Sequence, residues 1–128
     1  MAYSVEADLN LAYGETNIQT YADLDRDDDA AKIAARIARA IAVGDAEIDD
    51  AARRGGYSTP IKDQDGDTPV TITNLSAVLA GLWLYEAVAS MDTKRGEAAH
   101  KFTFRRSWAR RMKAAIISGD IKLDAVSG

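Results

Sequence analysis

The chain has 128 residues, of which 47% are apolar and 28% are charged, so we expect a single domain over residues 1–128 with a modest hydrophobic core. It contains no cysteine, which excludes disulfide bonds, thiolate nucleophiles and thiolate metal sites. The net charge of −4 argues against nucleic-acid binding by the whole surface, although acidic residues dominate up to Asp67 and basic residues dominate from Lys94 to Lys113.

Two short helical segments are predicted near the N-terminus. Ser4 is a suitable N-cap for a helix over Val5–Tyr13, and Gly14 is placed to end it. The segment Thr16–Leu24 allows one more helical turn. No basic region precedes an apolar run here, so neither secretion nor a membrane anchor is expected.

A long helix is predicted to open on the acidic run Asp25–Asp29, with Asp28 and Asp29 in its first turn. Its inward positions recur every three or four residues, at Ile33, Ile37, Ile41, Gly44 and Ile48. Arg53 and Arg54 suit the last turn, and the glycines that follow suit the C-cap. Gly44 costs about 1 kcal/mol relative to alanine in a helix, which predicts that the most apolar helix of the chain passes close to it.

The segment 57–73 contains both prolines and therefore cannot be one continuous helix. Asp65-Gly66 is a strong turn signal, and the flanking segments Tyr57–Ile61 and Val70–Thr73 have a strand-like composition. We therefore expect a protruding loop or β-hairpin at about 57–73. A lone two-stranded hairpin is only marginally stable, so it must pack against the rest of this chain or against another chain.

The segment Leu75–Ala89 is apolar on nearly every side of a helix, so other elements must enclose it. Thr73 or Asn74 is the expected N-cap, and 15 residues are too few to span a membrane. Glu86 falls in the middle of one apolar face, where an unpaired carboxylate would be costly.

A last helix is predicted over about Glu97–Ser118, followed by an extended tail over 119–128. Arg105 falls inside its apolar arc, which also includes Phe104 and Trp108. We predict that Glu86 and Arg105 form a buried ion pair between the two helices or join one polar network. The fold class is thus mainly α, a compact bundle of about four helices around the central apolar helix.

No catalytic motif is apparent, and we predict that the chain is not an enzyme. The single histidine, His100, has neither a cysteine nor a serine motif beside it, and no glycine group forms a phosphate-binding loop.

No metal site or other cofactor is predicted either. The run Asp25–Asp29 resembles the start of a calcium loop, but Ala30 and Arg36 occupy the sixth and twelfth positions, where glycine and glutamate are needed. The aspartates of the segment 63–67 could gather a cation, but they lack the bidentate glutamate and are better explained as a solvated turn.

The last helix carries a basic cluster that has two interpretations. Its charged side chains are candidates for electrostatic contacts with DNA phosphates or with an acidic surface of a neighbouring subunit, namely Arg106, Arg110, Arg111 and Lys113. Alternatively, they form a solvated face that offsets the acidic remainder. No helix-turn-helix spacing adds sequence readout.

Five segments together resemble a known family: YSVEADL, DLDRDDD, AEIDDAARRGGY, TNLSAVLAGLWLYEA and ISGDIKL. In this order, over residues 3–123, the chain is similar to the small neck proteins of Mu-like tailed bacteriophages and to the wider group of head–tail connector or head-completion adaptors. It departs from them in a longer loop over 61–70 and in an arginine-rich last helix.

The resemblance implies a structural virion protein, made in the host cytoplasm, that forms a homo-oligomeric ring, expected to be a dodecamer, at the neck. Its implied partners are the portal protein and tail or tail-completion proteins, with transient passage of DNA and no membrane. Either the acidic run 25–29 or the arginines could line the channel.

The loop and the tail are the segments from which we predict inter-subunit or portal contacts, because neither can bury itself well alone. The residues concerned are Tyr57, Ile61, Asp65, Gly66, Val70, Ile72, Ile121 and Leu123. The alternative function is a small helical DNA-binding or regulatory module that uses the basic last helix.

Overall fold

A computed structural model describes residues 2–89 and 102–119. Within these ranges the chain forms five helices and no strand, which confirms a mainly α bundle. The helices are α1 (Glu6–Tyr13), α2 (Glu15–Ala22), α3 (Ala30–Arg54), α4 (Val70–Ala89) and α5 (Thr103–Ser118).

The predicted N-terminal helix is present as α1, but its cap differs from the prediction. Val5 is the N-cap residue, and its backbone N–H donates to the Asp8 carboxylate at 2.8 Å. The Ser4 hydroxyl instead lies 2.6 Å from the Ser76 hydroxyl in the interior. Gly14, with φ of 94°, then separates α1 from α2, where a residue without a Cβ adopts this backbone conformation at little cost.

The long helix α3 begins at Ala30, directly after the acidic run that is predicted to open it. Asp29 is the N-cap, and its carboxylate accepts from the backbone N–H groups of Ala31 and Lys32 at 3.0 and 3.2 Å. Asp28 lies before the helix rather than in its first turn. The predicted end at Arg54 is confirmed.

The central helix α4 starts at Val70, so the predicted strand over Val70–Thr73 and the predicted cap at Thr73 or Asn74 are wrong. The Pro69 carbonyl accepts from the N–H groups of Ile72 and Thr73 at 3.0 and 3.1 Å. Burial of Ile72 in the core outweighs the weak strand preference of β-branched residues, since such preferences span only about 1 kcal/mol.

Helix α4 is the hub of the fold, because each of the other four described helices packs against it. Gly44 confirms the predicted close approach: a Cβ there would lie 3.2 Å from the Leu79 Cβ and 3.3 Å from the Ser76 carbonyl oxygen. At 20 residues, α4 is long and apolar enough to cross a membrane, contrary to the sequence-based length. However, 56% of its most apolar stretch is buried inside the fold of the chain itself, as is common for a core helix.

Two hydrophobic clusters share α4. On one side, Leu75, Leu79 and Leu82 pack with Ile48 and Ile116 from the C-terminal halves of α3 and α5. On the other side, residues of α4 pack with α1, α2 and the N-terminal half of α3, through Ala77, Ala80, Leu84, Leu9, Ile18 and Ile37. The enclosure predicted for the apolar helix is therefore confirmed.

The last helix, α5, begins at Thr103 instead of continuing from the predicted start at Glu97, which lies outside the described residues. Phe102 has φ of 61°, a left-handed conformation that interrupts an α-helix. Its ring packs edge-on against three tyrosines, with centroid distances of 4.9 to 6.3 Å to Tyr13, Tyr21 and Tyr85.

Candidate functional site

The predicted buried ion pair between Glu86 and Arg105 is wrong. The Glu86 side chain is 58% exposed, and its Oε1 lies 3.4 Å from Nε of Arg106. Arg105 turns toward α1, where its Nη2 donates to the Ala12 carbonyl at 2.8 Å. A cation is favoured there because the last carbonyls of a helix lack partners within the helix and carry its negative dipole end.

The guanidinium of Arg105 lies against two neighbouring aromatic rings. Its Cζ lies 4.7 Å from the ring centre of Tyr13 and 5.3 Å from that of Phe102. The Tyr13 hydroxyl donates to the Val78 carbonyl at 2.8 Å. Burial raises the pKa of the Tyr13 phenol, an effect that the charge of Arg105 partly opposes. Through its contacts with Ala12 and Tyr13, Arg105 stabilises the packing of α5 against α1, which is a structural role.

A groove of about 250 Å³ runs between α3, α4 and α5. Leu79, Leu82 and Ala109 are among the apolar side chains that line it. Two carboxylates and three basic side chains also line the groove, namely Glu47, Glu86, Arg106, Arg110 and Lys113. Two ion pairs link these groups, Arg106 with Glu86 at 3.4 Å and Lys113 with Glu47 at 3.5 Å.

Three of the four predicted basic contact residues therefore share one surface. Arg106, Arg110 and Lys113 are spaced four and three residues apart, which places them on one side of α5. Arg111 is exposed and does not line the groove. Within residues 2–89 and 102–119, the side chains of Arg110 and Arg111 form no hydrogen bond or ion pair.

The loop between α3 and α4 contains a tight acidic turn over Asp63–Asp67. The Asp63 carboxylate accepts from the backbone N–H groups of Asp65 and Asp67, both at 2.9 Å. The Asp63 N–H donates to the Asp67 carbonyl at 2.8 Å, and Gly66 supplies a φ of 84°. The turn is exposed from Gln64 to Asp67, as the loop alternative predicts.

The predicted β-hairpin is wrong, and so are two of its predicted intermolecular contacts. Ile61 and Ile72 are both 0% exposed in the hydrophobic core of the chain itself, so neither can reach another chain. Tyr57 is half-buried and packs against the same core. Val70 is 76% exposed at the start of α4 and, with Asp65 and Gly66, stays a contact candidate. Ile121 and Leu123 lie outside the described residues, as does His100.

One apolar residue of α5 is exposed where the helical periodicity predicts burial. Phe104 is 78% exposed, although the pattern placed it in the inward arc of the last helix. It lines a second surface depression with Trp108, Val78 and Asn74. Phe104 lies at the edge of that arc, where a rotation of a few tens of degrees about the helix axis decides between burial and exposure.

A lysine of α3 pairs with two aspartates of the acidic run that precedes the helix. Lys32 Nζ lies 2.8 Å from Asp27 and 3.5 Å from Asp25. Its hydrogen bond to Asp27 lowers the pKa of that carboxyl group and raises the pKa of Lys32. In the described part of the chain, no three histidine, aspartate or glutamate side chains gather as metal ligands would.

Comparison with known families decides the assignment. The family model for bacteriophage Mu Gp36 matches residues 3–128, nearly the whole chain. The chain belongs to the bacteriophage Mu Gp36 family. No curated protein and no solved structure matches it.

Membership of the Mu Gp36 family makes the chain a phage structural or morphogenesis protein, and this is not a known enzyme family. Such a protein is made in the host cytoplasm and is associated with the virion. The sequence-based assignment to Mu-like phages is therefore confirmed.

This Mu Gp36 family member also contains a polar network that sequence reasoning missed. The Tyr3 hydroxyl donates to Asp49 and accepts from the Ile61 N–H at 2.8 Å. The Tyr3 N–H and the Ser76 hydroxyl donate to the Asp45 carboxylate at 3.1 and 2.6 Å. The available signal was Ser76, the only hydroxyl in the apolar stretch from Leu75 to Leu84. The network ties the N-terminal segment and the loop to α3 and α4.

Asp45 gives the fold a specific pH dependence. Burial raises the pKa of its carboxyl group, although the hydrogen bonds from Ser76 and Tyr3 oppose this. Because the folded pKa exceeds the ordinary value of 3.8, the ionised group destabilises the fold above the folded pKa, and this cost disappears as the pH falls toward 3.8. We therefore expect the wild type to gain stability relative to Asp45→Asn as the pH falls from 7 to about 4.

Urea denaturation of both proteins at several pH values measures this difference. Asp50→Asn, on the exposed side of the same helix, is the control and should not reproduce the trend. A difference between wild type and Asp45→Asn that is constant with pH, or that grows in favour of the wild type as the pH rises, would contradict the burial of a charged Asp45.

Proposed function

We propose that the chain is a head–tail connector subunit, an adaptor or head-completion protein that forms a ring between portal and tail around the DNA channel. The observation that carries the proposal is the match of residues 3–128 to the bacteriophage Mu Gp36 family. The order of segments that the chain shares with Mu-like neck proteins supports a position at the neck of the virion, between portal and tail.

The geometry of the subunit supports a role in assembly. A ring requires heterologous contacts, in which two different patches of each subunit meet. The chain carries a groove with a basic wall on α5 and an exposed acidic turn over Asp63–Asp67. The exposed side chains of Val70 and Phe104 add apolar contact area. These patches surround a body held together by the enclosed helix α4.

The proposed partners follow from this position. The subunit associates with copies of itself, in an expected dodecamer, with the portal protein on one side and with tail or tail-completion proteins on the other. DNA passes through the ring without lasting contact. Asp65, Gly66 and Val70, together with Ile121 and Leu123 of the tail, are the proposed contacts between subunits or with the portal.

The alternative, a DNA-binding module that uses the basic helix, finds less support in the geometry. Glu47 and Glu86 stand opposite the basic row and pair with two of its members. A phosphate backbone placed along that row would therefore meet carboxylates as well as cations. Arg110 and Arg111 alone offer few phosphate contacts.

Electron microscopy and mass photometry of the purified full chain test the proposal, with a second sample that contains the portal protein of the same phage. We expect rings whose mass is about twelve times that of the 13.8-kDa subunit. A protein that stays monomeric in both samples and is retained by DNA in a salt-dependent manner would instead favour the alternative.

A further inference from the structure

We propose that the groove between α3, α4 and α5 receives a second copy of this chain, and that the acidic turn Asp63–Asp67 of that copy occupies it. The inference rests on the proposed function, because it supplies the subunit contact that a ring needs. It specifies both halves of one interface.

The groove is suited to a carboxylate presented by a protein surface. Arg110 lies between the two ion pairs, Arg106 with Glu86 and Lys113 with Glu47, and its own guanidinium has no partner among the described residues. With three cations and two carboxylates, the lining has a surplus of one positive charge. Its apolar side chains can pack against a partner and exclude water, which strengthens a charge pair.

The acidic turn is held in shape before it docks. Two backbone N–H groups donate to the Asp63 carboxylate, and Gly66 donates to the Asp63 carbonyl at 3.1 Å. Because this shape is already fixed, docking costs little further conformational entropy. The side chains of Asp65 and Asp67 form no hydrogen bond or ion pair within the described ranges and are exposed. They can therefore reach the guanidinium of Arg110 in another copy.

The turn and the groove are separate patches of one chain. The turn lies just before Val70, where α4 begins, whereas the residues of α4 that line the groove, from Leu79 to Glu86, lie 9 to 16 residues further along the helix. At 1.5 Å per residue this separation along α4 is about 14 to 24 Å. In a ring the contact between turn and groove is heterologous, so each subunit receives one neighbour and inserts into another. Such contacts close into a ring when the rotation between subunits permits.

Charge reversal tests the contact in the full chain. Arg110→Glu makes the groove acidic, and Asp65→Lys with Asp67→Lys makes the turn basic. We expect self-association of each variant alone to weaken at least about tenfold, because like charges then face each other. An equimolar mixture should recover assembly, since each altered surface then meets a surface of opposite charge. Mass photometry gives the assembled fraction, and circular dichroism checks that each variant folds.

Arg111→Glu is the matched control, because it makes the same charge change on α5 outside the groove and should leave assembly unchanged. Wild-type assembly together with unaffected variants, or a mixture that fails to recover, would overturn the inference while leaving the connector function intact. Failure of the wild type to assemble, even with the portal present, would overturn both. If Arg110→Glu abolishes only DNA retention, the groove is a DNA contact and the inference is wrong.

Discussion

Replacing Gly81 by alanine is expected to lower the free energy of unfolding by about 2–3 kcal/mol, after the gain of about 1 kcal/mol in helix propensity is included. A Cβ at this position would overlap the ring of Tyr13, which lies directly on the α4 backbone. The ring cannot move aside freely, because it donates a hydrogen bond to Val78 and packs edge-on against Phe102 at 5.3 Å. Overpacking of a dense core usually costs about 1–3 kcal/mol, and displacement of Tyr13 adds the loss of these contacts.

Urea denaturation followed by circular dichroism measures this effect. Gly44→Ala is the matched control, because its Cβ would lie 3.2 Å from the Leu79 Cβ and 3.3 Å from the Ser76 carbonyl oxygen, so that α3 and α4 must separate by only a few tenths of an ångström. Alanine also gains about 1 kcal/mol of helix propensity, so this control should change stability by less than about 1 kcal/mol. Adding Tyr13→Leu to Gly81→Ala should relieve the overlap. A Gly81→Ala protein as stable as the wild type would exclude the close packing of Tyr13 on α4.

Arg105→Ala is expected to cost about 2–3 kcal/mol of folding stability. The substitution removes a charge-assisted hydrogen bond to the Ala12 carbonyl, for which values of about 1.5–3 kcal/mol are typical. It also removes the contacts of the guanidinium with the rings of Tyr13 and Phe102. The junction of α5 with α1 should loosen as a result. Thermal and urea unfolding of the variant measure the loss.

Two comparisons make the Arg105 result specific. Arg111→Ala removes the same side chain from an exposed position of the same helix and should change stability by less than about 0.5 kcal/mol. In a double-mutant cycle, Arg105→Ala and Glu86→Gln should be additive within about 0.5 kcal/mol, because the two side chains have different partners. A coupling energy above about 1 kcal/mol would instead support a direct interaction between Arg105 and Glu86, as the sequence predicts.

The parts of the fold that could be predicted depend on local signals. The long helix α3 was recognisable because its isoleucines repeat with the helical period and its end is marked by two arginines and a glycine. Gly44 was informative for a similar reason, since a glycine inside a strong helix implies a close neighbour. The apolar stretch that became α4 had to be enclosed because of its composition alone.

The parts that could not be predicted depend on contacts between distant residues. Val70–Thr73 has a strand-like composition, and only the burial of Ile72 against the rest of the core makes it helical. Arg105 and Arg106 are adjacent in sequence and lie about 100° apart around the helix. Periodicity predicted that Arg105 pairs with Glu86, whereas Arg106 is the residue that does so. No sequence signal identifies the Ala12 carbonyl as the acceptor for Arg105.

The candidate site divides in the same way. The grouping of Arg106, Arg110 and Lys113 on one side follows from their spacing of four and three residues. That Glu47 and Glu86 stand opposite them depends on how three helices pack, which the spacing cannot give. Ile61 was assigned to an intermolecular contact because it lies in a loop, but a loop residue can bury its side chain while its neighbours stay exposed.

Because α4 is shared by both hydrophobic clusters, neither half of the subunit can come apart alone. Loosening one cluster exposes a face of the helix that the other cluster needs in place. The two halves should therefore unfold in a single cooperative step. A force applied at one end of the fold should likewise reach the other end with little internal deformation.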